Sequence, residues 1–269
     1  MIQETFFIDD GDAHLYSVLF MPETGFSNKA VLFCHPLFEE KKASHRVLVE
    51  LARSLAGKGF ASLMFDLRAC GDSRGDVLDF SPSVWLDDVR SSIAWLKKRY
   101  ENPGISLLGI RFGAALAVQA AVKVQGIEDL ILIDPVVRGR DYLNEVFQQK
   151  CVREMMTFGE ARSDVPAMFA ELGKTGMLDV DGTIISSSFT NAVKEIDISK
   201  EDFSTLKRIL LIQQSPRKSL LPAYEALQTK CRDGNISMDI SMLTAPPFWK
   251  AVDMADSEAI CRTILPWCR

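Results

Sequence analysis

The sequence has few histidines, no concentrated positive charge and no long apolar run. Only 3 of its 269 residues are histidine, and 31 Lys and Arg against 36 Asp and Glu leave a net charge of −5. Nucleic acids and anionic membranes attract clustered positive charge, so we expect no nucleic-acid partner. The most apolar stretch, residues 105–122, is interrupted by Arg111. It falls short of the roughly 20 apolar residues that a bilayer-spanning helix needs, so we expect no stable membrane insertion.

Motifs for disulfides, metals and nucleotide cofactors are also missing. The six cysteines are scattered without a Cys-x-x-Cys pair, which predicts free thiols in a reducing compartment. No His/Cys/Asp cluster has zinc spacing, no Gly-x-Gly-x-x-Gly occurs, and Gly173-Lys174-Thr175 lacks the first glycine of a phosphate loop. The N-terminus shows no basic stretch followed by an apolar one, so we expect no signal peptide and a cytoplasmic protein. These absences predict no cofactor and no metal.

What the sequence does contain is a regular alternation of strand and helix patterns with short connections. Such alternation is typical of an α/β fold, with a mostly parallel central sheet and helices on both faces. Two short strands with a turn between them precede the alternation, and a helix around Ala255–Ile264 ends it. Ala30–Cys34 is a continuous apolar run, as expected for a strand buried on both faces. The other predicted strands of the sheet are Ala61–Phe65, Ile105–Ile110, Leu130–Ile133, Ile209–Gln213 and Met238–Leu243.

The alternation stops between Arg138 and about Lys200. That segment has helical stretches, several glycines and a polar run of three serines, Ser186–Ser188. Structureless loops beyond about 15 residues are uncommon in compact domains, which favours a folded insertion over a loose excursion. We therefore expect a core domain of residues 1–138 and 200–269, with a helical lid insertion at 139–199.

The turn between the strand at 105–110 and the next helix has the spacing of a nucleophile elbow, Gly-x-Ser-x-Gly. Gly109 and Gly113 supply the small residues that such a sharp turn needs, but the central position holds Arg111. A guanidinium is always protonated and has no lone pair with which to attack a carbonyl. Arg111 therefore cannot be an acyl-transfer nucleophile.

The partners of a catalytic serine are missing as well. In hydrolases with this elbow, an acid follows the strand after the lid and a histidine follows the last strand. Here the first position reads Gln213-Gln214-Ser215-Pro216, and the second, residues 245–249, reads Ala-Pro-Pro-Phe-Trp. All three histidines precede the elbow, where a triad base would not lie. The simpler, structural interpretation of the Phe-Trp pair is that its side chains fill the core at the former base position.

Four segments together resemble a family of bacterial proteins. These are PLFEEKKASHRVLVELARSLAGKGFASLMFDLRACGDSRGD, WLDDVRSSIAWL, LLGIRFGAALA and IDPVVRGRDYL. They are similar to the exosortase-system-associated hydrolases of the second type, which also show arginine at the elbow. The resemblance covers about residues 30–145 closely, and His35-Pro36 departs from it, since that family commonly begins the first motif with Pro. It implies an α/β-hydrolase fold and a role in exopolysaccharide-related processes.

Arginine at the elbow lies at the N-terminus of a helix, whose partial positive charge disfavours a cation unless an anion joins it. The anion could be a carboxylate or phosphate on a small anionic or acyl ligand. The ligand-binding residues would then be Arg111, His35, Phe38, Glu39, Glu40 and Phe112. The alternative is an internal salt bridge in a dead active site, for which Glu39, Glu40 and Asp134 are the candidate acids.

Three hypotheses about function remain open. The first is a catalytically inactive protein that binds a ligand or partner. The second is an esterase or thioesterase with an unorthodox site, for which Ser73, His35 and Asp134 are weak catalytic candidates. Ser73 lies in a turn, and the structural alternative to a nucleophile is that it hydrogen-bonds backbone groups of that loop. The third is an interaction module whose lid, 139–199, docks a protein partner.

Overall fold

The computed structural model describes residues 1–76, 81–216, 218–250 and 257–268 of the chain. Ten strands are present in these ranges: β1 Ile2–Asp10, β2 Ala13–Met21, β3 Lys29–Cys34, β4 Ala61–Phe65, β5 Gly104–Ile110, β6 Ile127–Ile133, β7 Met177–Val180, β8 Thr183–Ser186, β9 Arg208–Gln214 and β10 Ser237–Leu243. The α-helices are α1 Phe38–Gly57, α2 Pro82–Arg99, α3 Phe112–Ala121, α4 Gly139–Phe158, α5 Val165–Thr175, α6 Ser187–Lys194, α7 Pro222–Asp233 and α8 Glu258–Trp267. The predicted start of the last helix, Ala255, lies outside the described residues.

Eight strands form one sheet in the order β1-β2-β4-β3-β5-β6-β9-β10. The hairpin β1–β2 is antiparallel and β2 also pairs with β4 antiparallel, whereas every other neighbouring pair is parallel. Successive residues of β3 alternate between two cores, with Leu32 in one and Val31 and Phe33 in the other. A sheet buried on both faces explains the continuous apolar runs of its central strands, and it confirms the predicted fold class.

The parallel arrangement determines where the polar residues meet. The strands β3, β4, β5, β6 and β9 end at the same edge of the sheet, so the residues that follow or end them are neighbours in space. These residues are His35, Asp66, Arg111, Asp134 and Gln214.

Residues 139–199 form three helices and a two-stranded hairpin. The insertion leaves and rejoins the core at one point, where Arg138 and Asp197 form an isolated β-bridge. Besides the helices expected for this segment, it contains a hairpin, in which β7 and β8 pair on either side of Asp181-Gly182. Both turn residues have positive φ, 53° and 85°, as an Asp-Gly hairpin turn requires.

None of the described helices is long and apolar enough to span a bilayer. All six cysteines lie in the described ranges and are free thiols.

Candidate functional site

The elbow between β5 and α3 has the backbone conformation of a nucleophile turn although it carries arginine. Arg111 has φ 53° and ψ −118°, a strained region for a residue with a side chain. Backbone hydrogen bonds hold it there: its N–H donates to the Ile133 carbonyl at 3.0 Å, and its carbonyl accepts from Ala114 and Val136, both at 3.1 Å. The turn therefore aims the Arg111 side chain where the attacking hydroxyl of a serine hydrolase would stand.

The two glycines of the turn are required by close backbone approach. A Cβ on Gly113 would lie 2.1 Å from the Cys34 carbonyl oxygen, and one on Gly109 would lie 2.4 Å from the Ala114 Cα. Neither contact is possible, so the two glycines of the Gly-x-x-x-Gly turn are there because the strand and the helix pack closely. That packing is independent of the residue at the centre.

The guanidinium of Arg111 is held by groups of the protein itself. Its Nε donates to Glu40 Oε1 at 3.0 Å, a second nitrogen donates to Glu145, and the third is 3.4 Å from the Asp134 carbonyl oxygen. Arg111 is only 8% exposed and Glu40 7%. Of the acids considered in the sequence, Glu40 makes the salt bridge, while Glu39 pairs instead with the exposed Lys42.

Two aromatic rings complete the surroundings of Arg111. The guanidinium carbon lies 5.9 Å from the ring centre of Tyr142 on α4 and 5.6 Å from that of Trp249. Trp249 belongs to a short 3-10 helix that follows β10, in the place of the missing histidine, and it is 4% exposed. Trp249 therefore packs against the arginine at the former base position, and the Phe248 ring lies 5.1 Å from that of Trp249.

The electrostatics of this cluster follow from burial and charge. Burial raises the pKa of Glu40, and the Arg111 guanidinium offsets only part of that effect. Burial also acts on the pKa of Glu145, but Arg111 and Lys250 outweigh it and lower the value. The pKa of Arg111 is raised because its two carboxylate partners overcome the cost of burial. Arg111 therefore stays charged in a site that is largely neutralised internally.

The acid position at the end of β9 holds Gln214, whose backbone is bonded to an aspartate from the neighbouring strand β6. Asp134, which follows β6, accepts a hydrogen bond from the Gln214 backbone N–H at 2.6 Å. The Gln214 side chain donates to the Pro246 carbonyl at 2.6 Å, which ties the two loops together. Burial raises the pKa of Asp134 to about 7, against the lowering effect of the Gln214 hydrogen bond and of Arg111.

The structure does not bring Ser73, His35 and Asp134 together. Within the described residues no hydrogen bond joins any two of them. Ser73 Oγ donates to the Asp66 carbonyl at 2.6 Å and accepts from the Tyr16 N–H at 2.9 Å, which is the loop-stabilising role. His35 follows β3 and Asp134 follows β6, with β5 between these two strands. Because neighbouring strands are about 4.8 Å apart, the intervening strand separates the two residues.

The remaining predicted ligand residues separate into two environments. Phe38 and Glu39, at the start of α1, line open clefts. Phe112 is completely buried, with its ring 6.1 Å from Trp85 and 5.4 Å from Tyr142, so its side chain lies in the core. Sequence reasoning missed Glu145, Tyr142 and Lys250, since no motif marks a lid residue as a partner of the elbow.

Two cavities flank the site. One of about 370 Å³ lies on the β4 side of the loop at 35–40, and a larger groove of about 780 Å³ runs past Glu40, Glu145 and Lys250. In the described part of the chain no group of three His, Cys, Asp or Glu residues is arranged to hold a metal ion.

Solved structures share this fold at low sequence identity. Est1E from Butyrivibrio proteoclasticus superposes with a TM-score of 0.63 and 17% identity over 97% of this chain and 98% of that one. The mouse alpha/beta hydrolase domain-containing protein 10 gives 0.65 and 17%, over 98% of each chain. An alpha-beta serine hydrolase homologue from Coxiella burnetii gives 0.60 and 14%, over 100% and 99%. At such identities the likeness shows the fold alone.

Sequence comparisons identify relatives and a family. Two curated Escherichia coli proteins, each described as an uncharacterized 31.7 kDa protein in the traX-finO intergenic region, are 26% and 25% identical over 113 residues. The matched region spans 41% of this chain and only 38% of either relative's length. The family model for serine aminopeptidase, S33, matches residues 27–169, which is more than half of the chain. The protein therefore belongs to the serine aminopeptidase S33 family, within the α/β-hydrolase fold.

Proposed function

We propose that this protein is a ligand-binding member of its family that has no Ser–His–Asp hydrolytic activity. The observation that carries the proposal is the engagement of Arg111. At the nucleophile position, all three guanidinium nitrogens contact protein oxygens, from Glu40, Glu145 and the Asp134 carbonyl. An arginine in that position cannot attack a carbonyl, and its side chain excludes a water or hydroxyl from the same place.

The rest of the triad geometry supports inactivity independently. A base must reach the nucleophile at hydrogen-bond distance, and the acid must orient the base. The base position carries Trp249, whose indole has no acceptor, and the acid position carries Gln214. A reversion of Arg111 alone to serine would therefore leave a hydroxyl without a base.

The ligand of this proposal is a small anionic or acyl molecule. Because Glu40 and Glu145 already neutralise Arg111, an anion at the guanidinium would have to displace a carboxylate. The loop at 35–40, with His35 and Phe38, lines a cleft of about 370 Å³ whose lining does not include Arg111. The resemblance to exosortase-associated hydrolases supports a place in exopolysaccharide-related processes, and that part of the proposal rests on the resemblance alone.

A second candidate function is the docking of a protein partner through the lid. The last turns of α4 expose apolar side chains: Val152 at 54%, Met155 at 56%, Met156 at 82% and Phe158 at 56%. Apolar residues exposed side by side mark interaction surfaces more often than isolated ones do. Co-purification of a protein that is lost with M155K/M156K, but kept with Arg90→Met on α2, would favour this function.

The proposal of inactivity is tested with ester substrates and a serine-directed probe. We expect the protein neither to turn over p-nitrophenyl butyrate nor to be labelled by a fluorophosphonate, and we expect the same of Arg111→Ser. Turnover or labelling that disappears in Ser73→Ala or His35→Ala would overturn the proposal in favour of an esterase with an unorthodox site. Ser188→Ala, on the exposed hairpin–helix junction of the lid, is the matched control for loss of a hydroxyl.

A further inference from the structure

The cleft of about 370 Å³ beside the loop at 35–40 is separate from the Arg111 cluster. Its lining is largely apolar and includes Leu37, Phe38, Leu67 and Trp85. Thr183, on the hairpin β7–β8, also lines it. The volume lies within the range of about 300–1,000 Å³ that is typical of small-molecule sites.

A buried histidine beside this cleft lacks a partner. His35 is 5% exposed, and its Nδ1 atom has no hydrogen-bond partner among the described residues. His35 lines this cleft and also a second one of about 250 Å³, so it lies between the two. Burial, with the nearby Lys41 ammonium, lowers the pKa of His35 to about 3, so the imidazole is neutral and offers one donor and one acceptor. Buried polar atoms are rarely left unpaired, so this nitrogen is available to a hydrogen-bonding guest in the cleft.

The polar end of the cleft carries lysines. Lys41 lines the cleft, is about one quarter exposed, and donates to Asp66 Oδ1 at 2.5 Å. An ammonium has three donors, and this contact uses one of them. Lys42 also lines the cleft and pairs with Glu39 at 2.7 Å. Lys41 therefore keeps ammonium donors that can bond to a further oxygen in this cleft.

We propose that this cleft binds an amphipathic carboxylate, with the apolar acyl body between Phe38 and Trp85 and the carboxylate on Lys41 near His35. This inference rests on the proposed ligand-binding function, since it names the place and the chemical class of the ligand. Apolar walls provide most of the binding free energy, and the lysine and histidine orient the head group.

The test uses the full-length protein and isothermal titration with decanoate, compared with 1-decanol. Thr183→Trp places a large ring in the lining of the cleft, whereas Ile184→Trp puts the same ring on the opposite face of the same strand. Thr183 is half-buried and Ile184 is exposed, tryptophan is a residue type that strands favour, and circular dichroism checks that both variants fold. We expect saturable decanoate binding, weaker binding of 1-decanol, an affinity loss of about tenfold or more in Thr183→Trp, and a change within about twofold in Ile184→Trp.

Absence of saturable decanoate binding, or equal losses in the two tryptophan variants, would overturn the inference. Turnover of p-nitrophenyl decanoate is measured on the same samples, so that the two proposals fail separately. No binding and no turnover removes the cleft inference and leaves the inactive protein. Turnover that is lost in Ser73→Ala removes the proposed function, while the decanoate titrations still decide the cleft.

Discussion

At the scale of the residue, the decisive feature is a buried cation that is compensated inside the protein. Arg111 lies in strained backbone with Glu40 and Glu145 as partners. Taking charges out of water is costly, and a buried pair repays that cost only when its hydrogen bonds are satisfied. The cluster is therefore stable as a unit and sensitive to the loss of any one member.

Removal of the guanidinium should expose this dependence. Arg111→Met leaves Glu40 buried without its cation, and we expect a loss of about 3 kcal/mol in the free energy of unfolding at pH 7, measured by urea denaturation. The double variant Arg111→Met/Glu40→Gln should recover part of that loss, because no unpaired carboxylate remains. Arg90→Met, which breaks an exposed pair with Asp87, should cost less than about 1 kcal/mol. Equal losses in Arg111→Met and Arg90→Met would contradict a buried ion pair.

Asp134 should make stability fall as pH rises towards neutral. Its pKa is raised by burial from 3.8 to about 7 in the folded protein, so between these values the folded chain keeps a proton that the unfolded chain has released. The stabilising contribution is complete below pH 3.8 and is lost as pH rises through about 7, with a slope of up to about 1.4 kcal/mol per pH unit. His35 acts in the opposite sense below its ordinary pKa, so the measurement must be a difference.

Asp134→Asn isolates this contribution. The amide oxygen still accepts from the Gln214 N–H, but it does not ionise. We expect the variant to gain stability relative to wild type as pH increases from 5 to 8, measured by urea midpoints at each pH. A difference that does not change with pH would show that the Asp134 carboxyl titrates normally.

At the scale of the element, the elbow is a packing device that persists without its chemistry. Gly109 and Gly113 let α3 approach β5 and the end of β3, and this was readable from the sequence because the spacing is local. The Asp181-Gly182 pair is an equally local signal, and it predicts a hairpin turn within a segment that was expected to be helical. The turn residues are therefore a better guide to the local structure here than the expected class of the whole segment.

A methyl group distinguishes these glycines from ordinary ones. Gly113→Ala should destabilise the fold by about 3 kcal/mol or more, because its Cβ meets the carbonyl oxygens of Cys34 and His35, at 2.1 and 2.3 Å. Gly173→Ala, within α5 and with open space around it, should instead stabilise by about 0.5–1 kcal/mol. Thermal unfolding of the two variants beside wild type measures both, and a tolerated Gly113→Ala would refute the close approach.

At the scale of the whole molecule, the lid and the sheet domain share one core. Leu143, Phe147 and Phe189 of the lid belong to the same buried cluster as Phe112 and Leu116 of α3. Trp85 of α2 lies 5.6 Å from the ring of Phe189, which joins the lid to the core at the cleft. Residues 139–199 are thus a structural layer of the domain.

This shared core predicts one cooperative unfolding transition. Far-UV circular dichroism and tryptophan fluorescence should give coincident urea midpoints, because the lid cannot leave without exposing core residues. Phe189→Ala should lower the urea midpoints of both probes together. The corresponding loss in the free energy of unfolding should be about 3 kcal/mol. An early transition seen by one probe only would show that the lid unfolds separately.

Much of the fold and part of the site could be predicted from residues that are neighbours in the chain. Strand runs, the elbow glycines and the missing serine, histidine and acid are all local patterns, and the sheet class follows from their alternation. Among the candidate acids near Arg111, however, chain order alone did not separate Glu39 from Glu40. They are adjacent on α1, and only the direction in which the helix presents each one separates them.

Amino-acid order alone therefore determined the α/β class and the strained turn. It also determined that Arg111, at the centre of that turn, cannot act as a nucleophile. Tertiary packing decided what surrounds the arginine: Glu145 and Tyr142 come from the lid, and Trp249 comes from a loop 138 positions along the chain from Arg111. The physical reason is that charge compensation and cavities depend on distances between side chains from separate elements. Those distances exist only once the sheet, its helices and the lid have packed together.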